Sequence, residues 1–78
     1  MKIEFHNKEL DKNISLHFFT VNEDEKKIIR GLVYEIGTPC FLQGDSDCWL
    51  MIEFWTKDLD GIMEAVEYVE EKFGIKVQ

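Results

Sequence analysis

The apolar residues of the chain follow two rhythms. Residues 3–6 alternate apolar and polar, as a short strand does. A polar, turn-like stretch follows at 7–13. Residues 14–21 are rich in β-formers, with Ile14, Leu16, Phe18 and Thr20 on one face and Ser15, His17 and Phe19 on the other. These two segments are expected to pair as an antiparallel hairpin. Residues 40–43 and 48–56 read as a second pair of strands around the turn Gly44-Asp45-Ser46-Asp47. In Trp49-Leu50-Met51-Ile52-Glu53-Phe54-Trp55 only Glu53 is polar, which predicts a central strand with much of both faces covered.

The second rhythm is helical. Over 58–73, Leu59, Ile62, Met63, Ala65, Val66, Val69 and Phe73 share one face at about 100° per residue. Gly74 supplies the residue that ends such a helix, and 75–77 suits a last edge strand. Residues 22–36 admit two readings. As a helix, Asn22 is the N-cap, Glu25 completes a capping box, and Glu23, Asp24 and Glu25 sit at the positive end of the dipole. Ile28, Ile29, Leu32, Val33 and Ile36 then form one stripe, and Gly37 and Pro39 end it. As a strand, 28–36 is sufficiently β-branched, with 22–27 as a turn. Gly31 weakens both readings. Caps and periodicity agree on the helix.

The pattern predicts an α+β fold. The expected architecture is a two-layer sandwich, a four- or five-stranded, mainly antiparallel sheet with both helices on one face, in the order ββαββα with room for a final strand. A faint internal repeat points the same way. Leu16-His17-Phe18-Phe19-Thr20 before the first helix resembles Ile52-Glu53-Phe54-Trp55-Thr56 before the second. The order is a cyclic permutation of the ferredoxin-like βαββαβ order. The competing arrangement is a four-stranded meander backed by the C-terminal helix alone. At 78 residues the chain is read as a single domain, 1–78.

Charge narrows the function. Sixteen acidic residues against nine Lys and Arg give a net charge of −7. Nucleic acids and anionic membranes require a cationic surface, so both are disfavoured as partners. Met1-Lys2-Ile3-Glu4-Phe5 lacks the apolar core of a signal peptide, and the longest apolar run, 49–52, is far too short to span a bilayer. A cytoplasmic setting follows, with Cys40 and Cys48 as reduced thiols.

The acids are not evenly spread. Asp60, Glu64, Glu67 and Glu71 lie on one line opposite the apolar face of the C-terminal helix, with no Lys or Arg within the helix three or four residues away to support them. That stripe suits a basic partner, and it equally suits a solvated face that keeps the protein soluble. Lys26, Lys27 and Arg30, with Tyr34, form an opposite patch on the first helix that would permit head-to-tail self-association. Phe19, Trp49, Trp55 and Tyr68 are the aromatics to follow, because ten rings exceed what one small core can hold. Phe19 and Trp55 on the sheet face away from the helices would leave an apolar patch.

Chemistry-bearing residues are few. Cys40 and Cys48 flank Gly44 symmetrically and would be cross-strand neighbours in a regular hairpin, yet their spacing matches no zinc or redox motif. Asp45 and Asp47 have the spacing of a cation loop, and also of an Asx-turn, without the acid a calcium loop needs at its twelfth position. Ser15, Ser46, His6 and His17 are the only serines and histidines, and the hairpin could bring the two histidines close together. A Cys48–His17 dyad has nothing in the sequence to support it. No phosphate loop, nucleophile elbow or paired-histidine zinc motif occurs. The sequence therefore reads as a small acidic non-enzymatic interaction protein, with no catalytic, metal or cofactor-binding residues. It would dock to or mask a basic partner through Asp60, Glu64, Glu67 and Glu71, with Phe19 and Trp55 as anchors, as an inhibitor, immunity or anti-defence protein does. Pairing with itself as a homodimer is a further expectation. The alternative is a thiol-, metal- or small-ligand-responsive module using Cys40, Cys48 and His6 or His17.

Overall fold

The elements follow in the order β1 (Lys2–His6), β2 (Ser15–Phe19), α1 (Glu23–Glu35), β3 (Cys40–Gln43), β4 (Trp49–Phe54) and α2 (Leu59–Phe73). The structure, a computed structural model, describes residues 1–7, 13–44 and 46–78. Most of the polar stretch expected as a turn at 7–13, and Asp45 of the expected cation loop, lie outside the described residues. The strands form one sheet in the order β1-β2-β4-β3, with every neighbouring pair antiparallel. This is the expected α+β, ββαββα architecture, and the meander with a single helix is excluded.

Register explains the layering. Ile3 pairs with Phe18, Leu16 with Ile52, Phe18 with Leu50, and Leu42 with Ile52, so one face of the sheet is apolar throughout. Leu16, Phe18, Leu50, Ile52 and Phe54 are fully buried there. Ile29 and Leu32 of α1 and Ile62 and Val69 of α2 join the same core, which puts both helices on that face. α1 packs over β3 and β4. α2 reaches β2 through Phe73, whose ring meets Phe18 edge-on at 6.2 Å. Among the described residues, no helix is long and apolar enough to cross a membrane.

Local chemistry decides the stretch that admitted two readings. Asn22 accepts a hydrogen bond from the Glu25 backbone N–H at 2.8 Å, and the Glu25 carboxylate accepts one from the Asn22 N–H at 2.9 Å. The full capping box satisfies two of the donors that a helix start leaves open. α2 has no such box, as the Asp58 side chain makes no capping bond, and its end is closed by Gly74 in a left-handed turn.

Several details differ from the sequence reading. Thr20 is not on the buried face. It takes φ 57, the only non-glycine among the described residues with positive φ, and lies exposed. That reversal aims the Val21 N–H at the Cys48 carbonyl, 3.0 Å away, and seats Val21 in the core. On α1 the buried stripe runs through Lys26, Ile29, Leu32 and Ile36, while Ile28 is exposed. On α2, Leu59 and Met63 lie at the exposed flank of the apolar face. The final edge strand expected at 75–77 does not form, and the sheet has four strands, with the chain end tied to β1 only at Gln78. Gln78 accepts from the Phe5 N–H at 2.7 Å and donates to the Ile3 carbonyl at 2.9 Å. Val77 is held in place by its N–H donating to the Glu70 carboxylate at 2.8 Å.

Candidate functional site

Two surfaces on opposite sides of the molecule carry the expected residues. The first is the outer face of α2. Burial of Ile62, Ala65, Val66 and Val69 orients the helix, so Asp60, Glu64, Glu67 and Glu71 point away from the sheet, and all four are exposed. Among the described residues, no ion pair involves any of them. Lys72, the nearest base on the helix, bonds instead to Glu35 of α1 at 3.3 Å.

A cleft of about 410 Å³ borders this stripe, lined by the end of α1, residues 37–39 and the first half of α2. Glu35, Asp58 and Glu64 bring carboxylates to it, and Tyr68 supplies an aromatic wall. Its floor is tied by Thr38, whose hydroxyl donates to the Gly61 carbonyl at 2.9 Å. Gly61 is placed tightly here, since a Cβ on it would sit 3.1 Å from Asp58 Oδ2 and 3.2 Å from Thr38 Oγ1. Carboxylates beside an aromatic face can hold an ammonium or guanidinium group.

The opposite patch on α1 is smaller than the sequence suggests. Lys26 is only 6% exposed, its stem packed in the core layer and its ammonium 3.6 Å from Glu23. A position on the boundary of the apolar stripe lets a long side chain bury its methylenes and still reach a surface acid. Lys27, Arg30 and Tyr34 are exposed.

The second surface is the sheet face turned away from the helices. Alternation places there Phe19, paired with Trp49, then His17, paired with Met51, then Ser15, paired with Glu53. Phe41 joins from β3 opposite Glu53, and Trp55 follows it, its ring meeting Phe41 edge-on at 5.1 Å. Phe19 and Trp55 thus lie on the expected face, Phe19 half-buried among its neighbours and Trp55 71% exposed. β4 is central, as expected, but its outer side chains cover one another rather than lying under a further layer.

The two histidines meet on this face, stacked at a centroid distance of 3.8 Å. His6 bonds to the Glu4 carboxylate at 2.9 Å, and Lys2 holds the same carboxylate at 2.8 Å. Those two bonds, Lys2 first, push the Glu4 carboxyl down to about 2. Partial burial, and then the neighbouring His6, lower the pKa of His17. Ser15 Oγ and His17 Nε2 are hydrogen-bonded at 3.0 Å, a contact the sequence reading missed. The signal was present, because positions two apart on a strand share a face. Ser15 is only 5% exposed, and this contact orients the imidazole.

The cysteines are not brought together. Cys40 pairs with Phe54, and pairing ends at Gln43–Met51, which leaves Cys48 exposed beyond the paired residues. Gly44 starts the turn at φ 69 with the Trp49 ring lying against it, which opens a loop where a regular hairpin was expected. Cys40 faces the core side, where burial pushes its thiol pKa up, whereas both histidines are on the other face. Among the described residues no group of three or more His, Cys, Asp or Glu is placed to hold a metal ion. The chain matches no family model, no curated protein and no solved structure.

Proposed function

We propose that this is a non-enzymatic interaction protein that docks to a basic partner through α2, masking the partner's cationic surface in the manner of a small acidic inhibitor, immunity or anti-defence protein. The observation that carries this reading is the stripe Asp60, Glu64, Glu67 and Glu71, exposed and without ion-pair partners among the described residues, beside a cleft that adds Glu35, Asp58 and Tyr68. Like charges at helical spacing repel by a few tenths of a kcal/mol per pair. A basic partner removes that repulsion and gains charge-assisted hydrogen bonds. The cleft suits a single Lys or Arg side chain, with its charge among the carboxylates and its stem against the tyrosine ring. We take the setting to be cytoplasmic, where Cys40 and Cys48 remain free thiols.

The test is capture. The double variant Glu64→Lys, Glu67→Lys should lose the partner that the immobilised wild-type protein retains from host extract. Its circular dichroism should be unchanged, because both positions are exposed. Undiminished capture by a folded double variant would end the acidic-docking reading.

A further inference from the structure

We infer that the bare sheet face is a homodimer interface, and that its occupant is a second copy of this chain packed sheet against sheet. The inference is independent of the acidic helix and uses the opposite side of the molecule. An antiparallel sheet with one solvated face normally alternates apolar inward with polar outward. Here the outward positions include Phe19 and Trp49 at one end and Phe41 and Trp55 at the other, with Met51 between them; Trp55 is exposed and the other four are half-buried.

Charge selects the occupant. Among the described residues, Glu4 and Glu53 are the only acids at strand positions on this face, and Glu4 is already paired with Lys2. The other described acids, the α2 stripe among them, lie off this face. Two copies repel through their acidic helices, and this nearly neutral face is where they can approach. A basic protein is drawn to the helix layer instead, and a polyanion is repelled from the molecule as a whole.

The area is sufficient. Four strands about 4.8 Å apart and up to six residues long present roughly 400 Å² of flat surface. Two such faces with their side-chain relief remove on the order of 1,000 Å² from water, the lower bound for a specific dimer. A two-fold axis across the strands, through the His17–Met51 row, brings the Phe19–Trp49 end of one copy over the Phe41–Trp55 end of the other. That contact is self-complementary and closes, as a C2 interface must. Aligned sheets packed about 10 Å apart at roughly −30° accommodate it.

Sedimentation equilibrium and light scattering over roughly 1–500 μM, spanning the affinity expected of so small an interface, test this. The wild-type mass should climb from 9.2 kDa toward twice that value with concentration. Trp55→Glu places a charge at an exposed position and should shift association at least tenfold to higher concentration, with unchanged circular dichroism. Met51→Glu, on the middle row, should do the same and guards against an effect private to Trp55. Glu64→Lys with Glu67→Lys should still dimerise, and Trp55→Glu should still capture a basic partner, so each reading can fail alone. A wild-type mass that stays at 9.2 kDa across the range overturns the inference, as does dimerisation untouched in both folded face variants.

Discussion

The outer sheet face makes single residues answer to pH. The Glu4 carboxyl titrates at about 2 in the folded protein and at the ordinary 4.5 when unfolded, so its contribution is present above 4.5 and is lost as pH falls from there toward 2. For His17 the folded state resists protonation, so stability is complete above the ordinary imidazole value of 6.5 and declines as pH drops below it. Both groups act in the same direction, at successive pH windows. Urea midpoints measured from pH 8 to pH 3 should fall in two stages. His17→Gln should flatten the first stage and Glu4→Gln the second. Equal slopes in wild type and variants would refute the assignment. The residues behind this were legible only in part. Two histidines facing one way on a hairpin can be read from alternation. Their stacking and the Lys2–Glu4–His6 chain depend on a register that alternation does not specify.

At the scale of elements, α1 rests on its start. Its apolar stripe shares space with the buried stem of Lys26, and it contains Gly31 in its interior, so the capping box carries an unusual share of its definition. Asn22→Ala should cost about 1 kcal/mol of stability, and Glu25→Ala somewhat less, measured by denaturant unfolding. A loss below about 0.3 kcal/mol for Asn22→Ala would show that packing alone holds the helix. These caps are what made the element readable, because their chemistry is local. What was unreadable is equally instructive. Thr20 reverses its φ because Val21 must bond across to Cys48, a contact made far along the chain. The symmetric spacing of Cys40 and Cys48 about Gly44 suggested neighbours, but the Trp49 ring against Gly44 reset where pairing begins. Helix ends obey nearby residues, whereas turns between strands obey the sheet they serve.

For the whole molecule, the uneven charge predicts opposite responses to salt. Docking of a basic partner on α2 is an attraction between opposite charges and should weaken as ionic strength rises from about 0.05 to 0.5 M. Sheet-to-sheet pairing joins two copies of charge −7 through apolar contacts, so screening their repulsion should strengthen it over the same range. Titration calorimetry with a Lys/Arg-rich peptide and sedimentation of the free protein measure the two separately. Matching salt trends would mean that the two surfaces do not divide the charge as described.

The acidic stripe and the aromatic face are separated by the full thickness of a helix layer and a sheet. Filling one leaves the other untouched. Two copies joined through their sheets would carry their acidic helices on outward-facing sides, too far apart to close on one small target. Such an assembly has a valence of two. Against a partner displayed in many copies, the second attachment would follow the first at a high effective concentration, and residence time would exceed what either helix supports alone.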